Sequence, residues 1–168
     1  MHWVFGYGSL IYKVDFPYIE RLSAHINGWE RRFWQGSHDH RGTPQDPGRV
    51  VTLIAAPGVV CGGMGYCIAE DVFQHLDHRE KNGYQRIDTP MQLGDGRRVE
   101  ATVYIADEEN HAFLGPAEMD VIARQIAASH GPSGANQEYL LQLAEALREL
   151  ELIDEHVFGL EELLLSGH

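Results

Sequence analysis

The chain is poor in cysteine, in basic residues and in long apolar runs, and each shortage closes off a class of function. Its only cysteines, Cys61 and Cys67, stand six apart in an expected strand, on one face but too far apart along it to bridge within that strand. A reducing cytoplasm is the expected setting. Thirteen Lys and Arg against 25 Asp and Glu leave a formal net charge of −12, which argues against nonspecific binding to nucleic acid or an anionic membrane. No apolar run is long enough to span a bilayer, and no signal peptide precedes the first expected strand. Catalytic signatures are missing too. No Gly-Lys-Ser/Thr triplet occurs, so there is no P-loop, and Ile11 replaces the third glycine of a dinucleotide fingerprint begun by Gly6-x-Gly8. Tyr7 and Ile11 fill the glycine positions of a nucleophile elbow around Ser9. His38-Asp39-His40, and His75 with His78 beside Asp77 and Glu80, lack His-Glu-x-x-His spacing, and neither cysteine has a near partner. No metal or cofactor is expected.

What remains is an ordinary folding composition. At 168 residues and 43% apolar content the chain can bury one core, and a single domain spanning 1–168 is expected. Strand signals cover 2–5, 26–37, 49–55, 59–68, 84–93 and 97–105. The last of these alternates Val99, Ala101, Val103 and Ile105 against Glu100, Thr102 and Tyr104. Residues 70–80 read instead as a helix, with Val72, Phe73 and Leu76 at helical spacing. Gly115-Pro116 opens a second helix and Gly131-Pro132-Ser133-Gly134 breaks it. A third carries Leu140, Leu143, Leu147 and Leu150, and Asp154 is a candidate N-cap for a fourth. Strands first and helices later favour α+β over a doubly wound sheet, and the glycine-bearing strands suit a curled sheet or small barrel. The acidic residues between Glu138 and Glu162 read as the solvated face of those helices.

Three features invite chemistry. Phe5-Gly6-Tyr7-Gly8-Ser9-Leu10 closes the first strand with two glycines around an aromatic. Glycine admits φ > 0 and close approach of a ligand to the main chain, and successive N–H groups in such a turn form a concave anion receiver; on local sequence a plain turn stays open as the alternative. Arg31, Arg32, Arg41 and Arg49 form a basic window that an acidic substrate could use. Glu80 ends the 70–80 helix just before Lys81-Asn82-Gly83-Tyr84. A carboxylate there can enter a cleft as general acid or base, or be ion-paired with Arg79 or Lys81.

Taken together, several segments resemble one family. They are Val4-Phe5-Gly6-Tyr7-Gly8-Ser9-Leu10-Ile11, Arg31-Arg32-Phe33-Trp34-Gln35-Gly36-Ser37, Asp39-His40-Arg41-Gly42, Pro47-Gly48-Arg49-Val50-Val51-Thr52-Leu53 and Leu76-Asp77-x-Arg79-Glu80-Lys81. Leu114-Gly115-Pro116-Ala117 and Gly131-Pro132-Ser133-Gly134-x-Asn136-x-Glu138-Tyr139-Leu140 fit as well. Over nearly the whole chain these resemble the ChaC family of glutathione-specific γ-glutamylcyclotransferases. Departures are His38 where threonine is commoner, Tyr12 for the usual tryptophan, and Asn82 for glycine, a residue that tolerates φ > 0.

The resemblance implies an α+β, γ-glutamylcyclotransferase-like fold with a small mixed β-barrel and packed C-terminal helices. It implies substrate binding by Phe5, Gly6, Tyr7, Gly8, Ser9 and Leu10, with Glu80 as catalytic acid/base. The implied reaction cleaves glutathione to 5-oxoproline and cysteinylglycine by attack of the substrate's own α-amine, without metal, cofactor or covalent enzyme intermediate. Arg41 and Arg49 are candidates for the substrate's glycine carboxylate, or for structural pairing with Asp39 or Asp46. A cytoplasmic monomer acting on a small molecule, with no nucleic-acid or membrane partner, is expected. Competing readings are a wider γ-glutamyl amino acid or γ-glutamylamine scope, and a noncatalytic regulator of cation transport.

Overall fold

The computed structural model describes residues 1–80 and 83–167, so the turn expected at Asn82 lies outside the described residues. The elements run β1 (His2–Gly6), a 3₁₀ turn (Ser9–Ile11), β2 (Glu20–Ser37), β3 (Gly48–Ile68), α1 (Glu70–Glu80), β4 (Gln85–Leu93) and β5 (Arg98–Ile105). There follow α2 (Met119–Ala128), a hairpin of β6 (His130–Gly131) and β7 (Gly134–Ala135), α3 (Asn136–Glu149) and α4 (Glu155–Leu165). They divide into two compact units, Met1–Glu30 with Leu53–Asn110 and Arg31–Thr52 with His111–His168. β2 and β3 contribute residues to both.

The strands close into a barrel in the order β1-β3-β2-β4-β5. β1 pairs antiparallel with β3, from His2↔Ile68 to Gly6↔Met64, and parallel with β5 at Trp3↔Ala101 and Val4↔Thr102, so the barrel is mixed. β4 and β5 form a hairpin around Gly94-Asp95-Gly96, with Gly96 at φ +94° supplying the left-handed turn residue. Phe5, Ile26, Leu53, Met91, Leu93, Ala101, Val103 and Ile105 pack in the first unit's core. The inward set of β5 follows its period-two pattern. Thr102 and Tyr104, on the opposite face, are buried as well. α1 accounts for this: its Phe73 stacks on the His2 ring at 3.4 Å and its Asp77 meets the Tyr104 hydroxyl at 2.9 Å.

Three boundaries differ from expectation. β2 starts at Glu20, before the aromatic stretch. β3 runs unbroken through the two expected strands 49–55 and 59–68, with Gly58 at φ +83° inside it. α2 begins at Met119, and Gly115-Pro116 stays in the preceding loop; Gly115 has φ +79° and its carbonyl accepts from Arg49 Nη1 at 2.9 Å.

In the second unit α2, α3 and α4 pack on one another through Ile122, Ile126, Leu140, Leu143, Leu147, Val157 and Leu160, all fully buried. Asp154 caps α4 by accepting the Val157 N–H at 3.0 Å, and it also pairs with buried Arg31 at 2.7 Å. The remaining acidic side chains of this region are mainly solvated, with Glu161 drawn onto Arg148. His156 Nε2 accepts the Phe33 N–H at 3.0 Å, and burial, aided by Arg32, pushes its pKa down to about 4. The native state therefore holds His156 neutral, while the unfolded chain protonates it below its ordinary value of 6.5. Stability falls as pH drops from about 6.5 towards about 4, with a slope of up to about 1.4 kcal/mol per pH unit. Thermal melts across that window will show the wild type losing Tm more steeply than His156→Gln; parallel curves would contradict this.

Candidate active site

β1 ends at Gly6, paired with Met64. The chain then turns through Tyr7 and Gly8 into the 3₁₀ turn. Ile11 N–H donates to the Gly8 carbonyl at 2.9 Å and Lys13 N–H to the Ser9 carbonyl at 2.7 Å. Neither glycine takes the left-handed conformation, Gly8 lying at φ −129°. Gly6 is needed for space instead: a Cβ there would stand 2.6 Å from Leu10 Cβ. The far side of the turn is anchored by the Tyr66 hydroxyl, which donates to the Leu10 carbonyl, and by Arg21 Nη2, which donates to the Ile11 carbonyl at 2.8 Å. The Phe5 side chain lies in the barrel core, Gly6 and Gly8 are buried, Tyr7 and Leu10 are half-buried, and Ser9 is exposed.

Glu80 is the last residue of α1, a helix with Glu70 and Asp71 in its first turn and His78 and Arg79 in its last, as the helix dipole favours. Phe73, Leu76 and Asp77 form its buried face. Asp77 Oδ1 accepts from the Tyr104 hydroxyl at 2.9 Å and from Arg86 Nη1 at 3.4 Å. Tyr104 in turn accepts the Tyr7 hydroxyl on its main-chain carbonyl at 2.6 Å. One β5 residue thus grips the glycine turn with its backbone and α1 with its side chain. Burial first, then the hydrogen bond to Asp77, pushes the Tyr104 hydroxyl well above its ordinary pKa, and the Glu80 charge adds to the rise. The hydroxyl remains a donor.

The Glu80 carboxylate is 27% exposed and pairs with Arg79 Nη2 at 3.1 Å; Arg79 also pairs with Asp15 at 3.0 Å. The ion pair of the alternative reading is thus present, and the carboxylate is partly exposed. A cavity of about 420 Å³ lies beside α1, between Asp15, Phe16 and Pro17 and the helix residues Val72, Leu76 and Arg79. Neither Glu80 nor any residue of Phe5–Leu10 lines it. Arg79 is the link, since its guanidinium also touches Glu80.

The basic window does not assemble as a ligand site. Arg31, Arg41 and Arg49 are buried in the second unit. Arg41 Nη1 donates to the Ala135 carbonyl at 3.1 Å and pairs with Glu138 at 3.4 Å. Arg49 donates to Gln125 Oε1 at 2.7 Å and to the carbonyls of Phe33 and Gly115. These structural partners are not the expected Asp39 and Asp46. Among the described residues no three His, Cys, Asp or Glu side chains stand together as metal ligands. Cys61 and Cys67 are buried and form no disulfide, and no described helix is long and apolar enough to cross a membrane.

Residues 2–166 match the family model of ChaC-like proteins. The chain belongs to the ChaC family. Among its relatives, γ-glutamylcyclotransferase 2-3 of Arabidopsis thaliana is 46% identical over 94% of this chain and 85% of that protein. Glutathione-specific γ-glutamylcyclotransferase 1 of Danio rerio is 41% identical over 98% of this chain and 89% of that one. The crystal structure of a yeast γ-glutamyl cyclotransferase specific to glutathione matches with a TM-score of 0.88 at 36% identity, covering 98% of this chain and 96% of that one. The α+β ChaC fold, a mixed barrel with packed C-terminal helices, is as expected.

Asp77 and Tyr104, which join the glycine turn to α1 in this ChaC chain, are not among the residues that the sequence singles out as substrate-binding or catalytic. Asp77 does carry a signal in the sequence: it stands four residues after Phe73, on the face that helical spacing assigns to the core. Tyr104 carries none, because its partners Tyr7 and Asp77 lie 97 and 27 residues away.

Proposed function

We propose that this ChaC chain is a glutathione-specific γ-glutamylcyclotransferase, with the glycine turn as the substrate holder and Glu80 as the acid/base. Main-chain N–H groups of the turn receive the α-carboxylate of the γ-glutamyl group, which folds the α-amine over the γ-carbonyl. An α-amine with a pKa near about 8 is mostly protonated at neutral pH, so a base must take a proton before it can attack. Glu80 takes that proton. The amine nitrogen bonds to the γ-carbon and a five-membered tetrahedral adduct forms. Glu80 then returns the proton to the amide nitrogen and the old C–N bond breaks as the carbonyl re-forms; the ring nitrogen gives up its second proton, the freed amine takes one up as an ammonium, and 5-oxoproline and cysteinylglycine leave. No water is consumed and no enzyme atom becomes bonded to substrate. Holding the flexible chain in its ring-closing shape contributes up to roughly 7–11 kcal/mol at the limit, and a turn N–H facing the adduct oxygen adds electrostatic stabilisation.

The observation that carries this reading is the junction at Tyr104, where turn and acid-bearing helix meet on one residue. The names of relatives that match this chain over most of their length supply the substrate class. Two buried cysteines that form no disulfide fit action in a reducing cytoplasm. Incubation of the purified protein with glutathione is expected to release 5-oxoproline and cysteinylglycine in equal amounts, with γ-glutamyl-alanine a poor substrate. Release of neither product would overturn the reading, and equal turnover of γ-glutamyl-alanine would replace glutathione specificity with a wider γ-glutamyl scope.

A further inference from the structure

We infer that Tyr104, acting through Asp77, is a positioning residue that sets the separation between the glycine turn and Glu80. This rests on the reaction proposed above and names a residue that the reaction does not touch.

The geometry divides the two functions of Tyr104 between two different atoms. Its carbonyl oxygen receives the Tyr7 hydroxyl at 2.6 Å and so holds the turn. Its phenolic oxygen donates to Asp77 at 2.9 Å and so holds α1. Asp77 and Glu80 are three residues apart, neighbours on the same side of the helix. A shift of the last turn of α1 at Asp77 is therefore a shift of the Glu80 carboxylate. Asp77 is 6% exposed on an otherwise apolar face. A buried carboxylate is costly for stability when apolar packing is the alternative, whereas a directional acceptor fixes rotation and height. Arg86 Nη1, at 3.4 Å, neutralises the charge from β4.

α1 does not depend on this bond for docking. The His2 ring stacks on Phe73 at 3.4 Å, and the Arg86 guanidinium lies 5.0 Å from the centre of the same ring. Phe73 and Leu76 are buried besides. Removing the phenolic hydroxyl leaves the helix bound but loosens its final turn, while the carbonyl grip on Tyr7 is untouched.

Tyr104→Phe separates the two functions. It should lower kcat about 30-fold, since a displacement of about 1 Å costs about a hundredfold, and leave KM within about threefold because the turn is still held. Asp77→Asn keeps an oxygen acceptor for Tyr104 and should stay within about fivefold of wild type; Asp77→Leu removes it and should match Tyr104→Phe. A purely structural anchor would instead lower Tm and leave kcat unmoved well below the melt. Hydrogen exchange gives a readout without turnover: amides of residues 77–80 should exchange faster in Tyr104→Phe, with those of β1 unchanged. Wild-type kcat in Tyr104→Phe, equal losses in Asp77→Asn and Asp77→Leu, or unaltered exchange at the end of α1 would each overturn the inference. A wild type that releases no 5-oxoproline would overturn the reaction instead, with the anchoring of α1 still read by exchange.

Discussion

Glu80→Gln is expected to lose 5-oxoproline release by about 10²–10⁴-fold, the span that one positioned acid/base contributes. Glutamine keeps the shape of the side chain but can neither take nor return a proton, so the attacking amine stays protonated and the leaving nitrogen stays an amide. Stability should change little. The Glu80–Arg79 pair is partly exposed, with side-chain exposures of 27% and 50%, and Arg79 retains Asp15. Partly exposed ion pairs are worth about 0–1 kcal/mol. Glutathione should still bind, because the turn is unaltered. Single-turnover assays with a melting curve on the same sample will test this, and near-wild-type turnover would remove Glu80 from the mechanism.

The second large effect is expected at Gly6. Gly6→Ala places a Cβ 2.6 Å from Leu10 Cβ, an atom close to the main chain that cannot swing aside. Gly63 offers no retreat, since it packs against the Gly6 carbonyl and the Phe5 ring. The turn must open, and Leu10 must move against its anchor on Tyr66. Overpacking of this kind costs about 1–3 kcal/mol, and displacement of the main chain that holds the α-carboxylate should raise KM about tenfold or more. Unchanged KM and Tm in Gly6→Ala would contradict the assigned role.

Much of the fold was legible where local chemistry decides it. α1 spans Glu70–Glu80 as its apolar spacing predicts, Asp154 caps α4, and Gly94-Asp95-Gly96 turns β4 into β5. Misreadings fall where a distant partner overrides a local preference. Pro116 is suited to a first helical turn, yet the Arg49 guanidinium holds Gly115 in a loop. The signals over 49–55 and 59–68 read as two strands, yet β3 runs through both. The site divides in the same way. Glu80 and the glycine turn stood out through their residue types, and the family resemblance joined them. The arginine window looked like a receiver for an acidic ligand, but three of its four members are buried on carbonyls and side chains of their own unit. Tyr104 was invisible because its role comes from pairings across the barrel and with α1, which no spacing in the chain encodes.

The central claim is that the substrate's own amine, rather than water, attacks the γ-carbonyl. Turnover of glutathione in ¹⁸O-labelled water, followed by mass spectrometry of the products, tests this most directly. Ring closure predicts unlabelled 5-oxoproline in one-to-one ratio with cysteinylglycine and no glutamate. Glutamate carrying one ¹⁸O in its γ-carboxylate would show water as the nucleophile and contradict it.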